Sequence, residues 1–392
     1  MNFTFTEEQL LLQESARQFF AQHSPSAAVR AAMNSANGYD ESVWSRLVND
    51  MGWTGIATPE AYGGLGLGQI EMAIVQQEMG RTLFASPFLA SIGLAIPALL
   101  AAATAPQRER WLPALAAGQR IAALACTGAR GRPGAAGVEA VLSAGPDNRY
   151  TLNGKAGFVV FGHVADLLIV AARAPGSSGE QGISLIALPR DTAGMKIEKV
   201  VAMDLTRPYA RIEFDGVEVG ADAILGAPEQ AGAALARTLA LGNIALAAEQ
   251  VGAAEQCLAF TVEYTKQRVQ FGRAIGSFQA VKHKLADMMV RIEAAKSAVY
   301  YAACAADEDP ALLPEAAAVA KSFCSDIFNL CAGDAIQLHG GIGFTWEHDA
   351  HLYFKRARAS ANLLGDTIHQ REQIAQQLFD GDQPLLRQLG GL

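Results

Sequence analysis

The sequence predicts an α+β multidomain protein in which a helical domain, a β domain and a second helical domain follow one another along the chain. Three observations carry that prediction. Apolar residues recur at three- and four-residue spacing over residues 6–118, short β-rich runs separated by Gly, Pro and Asp fill residues 120–226, and long Ala-rich helical segments return from about residue 229. The expected boundaries are 1–119, 120–226 and 227–392.

The first helix is announced by Thr6 followed three residues later by Gln9, the spacing of a capping box, with Leu10, Leu11, Phe19 and Phe20 supplying the apolar stripe. Pro59 and the cluster Gly63, Gly64, Gly66 and Gly68 interrupt the helical pattern; no strand precedes them and G-x-G-x-x-G is absent, so they read as a turn. The most apolar stretch, residues 84–105, is cut by Pro87 and Pro97 and holds Ser86, Ser91 and Gly93. It is expected to be buried helix and not a membrane span, which needs about 20 unbroken apolar residues. The runs FVVF, LLIVAAR, ISLIALP and ARIEF read as strands, with the small loop APGSSGEQG between two of them. The segments LALGNIALAAEQVGAAEQCLAFTVEYTKQR, KHKLADMMVRIEAAKSAVYYAACAA and EAAAVAKSFCSDIFNLCAGDAIQLHG read as long helices.

Composition narrows the function. Lys and Arg number 31 against 39 Asp and Glu, a net charge of -8 that argues against nucleic acid as a partner. With 51% hydrophobic and 18% charged residues the chain is far from the signature of disorder. Five scattered cysteines without a C-x-x-C pair read as reduced core thiols, and the acidic start MNFTFTEEQLLLQE lacks the basic flank of an export signal, so a cytoplasmic setting is expected.

Three segments are richer in Gly and polar residues than packing needs. ACTGARGRPGAAG, residues 125–137, reads either as a flavin- or phosphate-facing loop or as an ordinary surface loop. In KQRVQFGRAIGSFQAVKHKLADM, Arg268 and Arg273 flank Gln270, Phe271 and Gly272, which suits pyrophosphate binding beside an aromatic wall or, alternatively, a basic helix end. In AIQLHGGIGFTWEHDAHLYFKRA, Gln337, His339, Gly340 and Gly341 close a helix, where the glycines permit close approach of a ligand or simply cap it.

Together with FTEEQLLLQESARQFF, ATPEAYGGLGLGQIEMAIVQQEMGR, YTLNGKAGFVVFGHVADLLIVAAR and IEFDGVEVGADAILG, these segments make the chain resemble the acyl-CoA dehydrogenase family over nearly its full length. The resemblance implies a helical domain, a middle β-barrel-like domain and a C-terminal four-helix bundle, in a homodimer or tetramer. It also implies FAD between the β domain and the bundle, an acyl-CoA substrate and an electron-transfer flavoprotein as electron acceptor. Carried over residue by residue, Arg268 and Phe271 match the contacts to the FAD pyrophosphate and adenine, with Phe278 and Gln279 close by. Gln337, Gly340 and Gly341 match contacts to the FAD of a neighbouring subunit, and Thr127 and Phe158 fall where the family places groups against the flavin ring.

The family's reaction takes a proton from the carbon next to the thioester with a carboxylate base while a hydride leaves the β carbon. The usual Glu position is here Leu364, followed by Gly365, Asp366 and Thr367. The alternative base position, 26 residues before Arg268, is Gly242, followed by Asn243 where the family often has an Arg against bound acyl-CoA. The flavin-side loop also departs, reading TGARGRPG with neither the family's acid nor its Ser-Asp end. Asn243, Leu364 and Gly365 are the expected substrate-side residues. Three readings follow: one subunit of a heterotetramer whose paralogue supplies the base, a self-sufficient enzyme whose base has moved to Asp366, or a flavin oxidase, monooxygenase or non-catalytic binding subunit on the same fold. Glu249 reads as a bundle-packing or interface acid.

Overall fold

The computed structural model describes residues 4–380. Helices α1 (Glu7–His23), α2 (Ser26–Met33), α3 (Glu41–Asn49) and α4 (Gln69–Arg81) open the chain, followed by α5 (Phe88–Ala90), a π-helical turn (Ser91–Ala95), α6 (Ile96–Ala102) and α7 (Ala105–Ala116). Strands β1 (Ala122–Ala125), β2 (Val141–Ala144), β3 (Arg149–Val160), β4 (Leu167–Arg173), β5 (Ile183–Pro189), β6 (Met195–Val200) and β7 (Tyr209–Gly220) come next. The remainder is helical: α8 (Gly232–Gln267), a short hairpin of β8 (Val269–Gln270) and β9 (Arg273–Ala274), then α9 (Gln279–Glu308), α10 (Leu313–His339), α11 (Ala350–Asn362) and α12 (Thr367–Asp380). This is the expected order of helical, β and helical parts.

Compactness divides the chain into two units. One combines the chain up to Arg30, Gln69–Phe84 and everything from Asn243 onward; the other combines Ala31–Gly68 and Ala85–Gly242.

In the first unit α10 packs against α9, α11 and α12, and α4 packs against α1 and α9. The apolar character of α10 on nearly every face matches that central place, with Phe328, Cys331, Ala332 and Ala335 buried. Helices α4 and α8 touch backbone to backbone. A Cβ on Gly80 would lie 1.9 Å from the Glu249 carbonyl oxygen, and one on Gly252 would lie 1.8 Å from that of Gln77, so only glycine permits the crossing. The start of α1 realises the capping box: the Gln9 amide donates to Thr6 Oγ1 at 3.3 Å, and the Thr6 amide donates to Gln9 Oε1 at 3.0 Å.

The second unit is built on a seven-stranded sheet of order β1-β4-β2-β3-β7-β6, with β5 paired to β4. Strands β1 and β4 run parallel, while β7 lies between β3 and β6 and pairs antiparallel with both. Leu152, Ile169, Leu185, Ile186, Ile212 and Val217 are fully buried in its core, each such side chain worth about 1.5–3 kcal/mol of transfer free energy. The apolar stretch at 84–105 is buried helix as expected, and no helix among the described residues is long and apolar enough to cross a membrane. The Gly63 region is a turn: Gly63 and Gly66 have φ of +80° and +65°. All five cysteines are free and buried. Strand β6 was not among the expected runs, because Lys196, Glu198 and Lys199 separate Met195, Ile197 and Val200 and leave no continuous apolar stretch.

Candidate active site

Helix α8 ends at Gln267, and the Arg268 amide still donates to the Tyr264 carbonyl at 2.9 Å. The chain then reverses through β8 and β9 with a two-residue turn of Phe271 and Gly272, both at positive φ (+53° and +78°). Those angles define the primed hairpin turn, in which Asn-Gly is ordinary and a bulky aromatic at the first position is strained. Phe271 is nevertheless 92% exposed, so packing within the chain does not account for it. Its ring meets Phe278 edge-on at 6.2 Å, and the Arg273 guanidinium lies over the Phe278 ring at 4.0 Å. Arg268 is exposed and has no carboxylate partner among the described residues. Gln279 begins α9, whose first turn carries no acid.

At the far end of α10, Gln337 is exposed and Gly340 caps the helix at φ +63°, a conformation that favours glycine. Gly341 is different. Its φ is not positive and a Cβ there would meet nothing within 4 Å, so neither backbone conformation nor packing within the chain requires glycine. His339 is buried beside Tyr264, with ring centroids 4.3 Å apart, and lies 4.3 Å from His348. Burial lowers the pKa of both histidines.

In the β unit, the Thr127 carbonyl accepts from the Gly157 amide at 2.7 Å, which ties the start of the Gly-rich loop to β3. Glu139 Oε2 accepts from the Ala129 amide at 2.9 Å and shapes the same loop. The next residue of β3, Phe158, sits at a register shift against β7 with φ +53° and is 52% exposed. A Cβ on Gly131 would stand 3.2 Å from its ring, so the loop passes close beside the aromatic.

The residues expected on the substrate side gather around the turn between α11 and α12. Leu364 has φ +61° and its carbonyl accepts from Gln370 Nε2 at 3.1 Å; Gly365 has φ +107° and its carbonyl accepts from Lys321 Nζ at 3.2 Å. Asn243 is buried, donates weakly to Gln370 Oε1 at 3.5 Å, and its Oδ1 has no hydrogen-bond partner. Asp366 is exposed, and its Oδ1 accepts from the His369 amide at 2.8 Å, which makes it the N-cap of α12. Glu249 is buried in an ion pair with Arg356 at 2.6 Å. Glu78, the other deeply buried carboxylate of this unit, serves Arg17 and Arg81.

A second polar cluster carried no sequence expectation. Lys321 is fully buried; its ammonium donates to Ser325 Oγ (3.0 Å), the Ala361 carbonyl (3.1 Å) and the Gly365 carbonyl. Gln250 bridges Ser325 and Ser360, donating to each hydroxyl at 3.1 Å. The available signal was a lone lysine in the Ala-rich run AAAVAKSF, a residue type that is almost never fully buried unless paired.

Residues 6–119 match the family model for the acyl-CoA dehydrogenase N-terminal domain, and residues 232–379 match that for the acyl-CoA dehydrogenase C-terminal domain. The chain is 42% identical to the acyl-CoA dehydrogenase IpdE2 of Mycobacterium tuberculosis, over 91% of this chain and 93% of the relative. Its fold resembles the butyryl-CoA dehydrogenase of Megasphaera elsdenii, with a TM-score of 0.89 at 30% identity, covering 96% of this chain and 100% of the other. It also resembles a chain of the ChsE4–ChsE5 complex from Mycobacterium tuberculosis, with a TM-score of 0.86 at 27% identity, covering 96% and 99%. The protein is a member of the acyl-CoA dehydrogenase family, a flavin oxidoreductase acting on the CH–CH group of acyl-CoA thioesters.

Proposed function

We propose that this chain is the FAD-binding, base-deficient subunit of a heteromeric acyl-CoA dehydrogenase that introduces an α,β double bond into an acyl-CoA thioester. The observation that carries the reading is the turn between α11 and α12. Leu364 occupies the usual base position, Gly242 the alternative one, and Asp366, the nearest acid in sequence, is engaged as a helix cap. Neither Leu364 nor Gly242 can accept the α-proton, so a carboxylate from a paralogous partner is needed. The resemblance to a chain of the ChsE4–ChsE5 complex, two different polypeptides by its name, supports this.

The residues present fit FAD. Arg268 offers an uncommitted guanidinium, Phe271 holds an exposed ring in a strained turn, and Gly340 and Gly341 leave open space at the end of α10. Bound FAD would supply the acceptor for the hydride that leaves the β carbon. Arg268 would pair with the pyrophosphate and Phe271, with Phe278 behind it, would flank the adenine; Gln279 stands beside them. Gln337, Gly340 and Gly341 would face the FAD of a neighbouring subunit, and Thr127 and Phe158 would line the flavin ring. Asn243, Leu364 and Gly365 form the acyl-CoA side, where the unpaired Asn243 Oδ1 is free to accept from a substrate donor. The electrons would then pass to an electron-transfer flavoprotein.

Co-expression with a paralogous acyl-CoA dehydrogenase chain that carries the base tests the reading. A stable mixed oligomer that holds FAD and turns over an acyl-CoA with an electron-transfer flavoprotein is expected. A homo-oligomer of this chain that turns over alone would refute the division of labour, and oxygen consumption at a comparable rate would assign an oxidase instead.

A further inference from the structure

We infer that Lys321 is the positioning residue of the turn at Leu364 and Gly365, holding it through hydrogen bonds from its side-chain nitrogen to the Ala361 and Gly365 carbonyls on either side of Leu364. The inference deepens the proposed function, since this turn carries the position where the family places its base, but the clamp itself is read from the geometry alone.

Helix packing does not require a lysine here. Position 321 is fully buried in an Ala-rich helix, where an apolar residue would fill the space without the desolvation cost of an ammonium. What the lysine nitrogen adds is hydrogen bonding to three oxygens: Ser325 Oγ, the Ala361 carbonyl in the last turn of α11, and the Gly365 carbonyl beyond it; the neutral amine that prevails above about pH 8 keeps two donors for the two carbonyls and a lone pair for the Ser325 hydroxyl. Ser325 is itself anchored through Gln250, which reaches Ser360 on α11. From the other side Gln370 of α12 takes the Leu364 carbonyl. Two consecutive carbonyls of a turn with φ +61° and +107° are therefore gripped by buried side chains from two different helices. Leu364 pays a left-handed strain that only such over-determination sustains. Lys321 touches no reacting atom; it acts by fixing where the residue at 364 stands.

The clamp has a pH signature. Burial pushes the Lys321 pKa down from 10.5 to about 8, opposed by the nearby Cys324, Asp366 and Asp326, the last of which is paired with Arg371 at 2.7 Å. When the turn opens and Lys321 meets water, its pKa returns toward the ordinary value. The open state then binds more protons between pH 8 and 10.5, so raising the pH favours the closed turn. Linkage between those two values gives about a tenfold gain in protection from pH 7 to pH 9.

Amide hydrogen exchange of the purified full-length protein, quenched on the millisecond scale and corrected for intrinsic rates, reads this directly. Peptides covering residues 361–366 are expected to gain about tenfold protection from pH 7 to pH 9, while the loop at residues 174–182 gains none. In Lys321→Met the gain should vanish with FAD content unchanged. Equal protection at both pH values in the wild type, or the same gain in Lys321→Met, would overturn the inference. Should the variant not fold, the wild-type comparison alone decides. Bleaching of the flavin of the purified wild-type chain by an acyl-CoA would count against the functional reading and leave the exchange result standing.

Discussion

Replacing Arg268 by alanine isolates the cofactor contribution of a single guanidinium. Arg268 is exposed and has no carboxylate partner among the described residues, so its removal breaks no internal ion pair and the apoprotein should unfold within about 0.5 kcal/mol of wild type. Its amide hydrogen bond to Tyr264 belongs to the backbone and survives the change. What is lost is a charge-assisted pair with a pyrophosphate, worth about 1.5–3 kcal/mol, or about 10- to 150-fold in FAD affinity. Titration of the apoprotein with FAD, followed by flavin fluorescence alongside thermal unfolding of the same samples, separates the two effects. An unchanged Kd would refute the placement of the pyrophosphate at Arg268. A large drop in apoprotein stability would show that the residue serves the fold.

Three further predictions concern a buried ion pair, the turn after α11 and the histidines. Glu249→Gln leaves Arg356 buried without its countercharge and should cost about 3–5 kcal/mol in urea unfolding, whereas Glu249→Leu with Arg356→Met should recover most of that loss; a single variant near wild type would contradict the buried pair. Leu364→Glu should give a chain whose flavin is bleached by acyl-CoA without a partner, because the sequence resemblance puts the family's base at this position; a flavin that stays oxidised would show that position alone does not suffice. His163, His339, His348, His351 and His369 all have pKa values lowered chiefly by burial, from an ordinary 6.5. The unfolded state then binds more protons as the pH drops below about 6.5, so stability should fall there, before the carboxylates titrate; equal unfolding free energies at pH 7.5 and 5.5 would contradict this.

How much was legible in the sequence depended on whether a residue was used in its ordinary way. The capping box at Thr6 and Gln9, the turn at Gly63 and the buried helices after Pro87 follow from local chemistry and appear as read. The hairpin at Val269–Gln270 and Arg273–Ala274 did not, because Phe-Gly is not a usual primed turn and only the φ values reveal it. Lys321 escaped notice because lysine is read as solvated, and its partners Ala361, Gly365 and Ser325 come from separate segments. Asp366 looked available as an acid until the start of α12 gave it a cap to make. Family motifs supplied what periodicity could not: the expectation that Arg268, Gln337 and Thr127, widely spaced in sequence, serve one cofactor.

The central claim is that this chain carries the flavin and lacks the base. An anaerobic titration of the purified chain alone with short, long, branched and steroid-type acyl-CoA thioesters, following the flavin absorption band, tests it most directly. The account predicts a flavin that stays oxidised with every thioester and bleaches once a base-carrying paralogous chain is added. Bleaching of the wild-type chain by itself would contradict it.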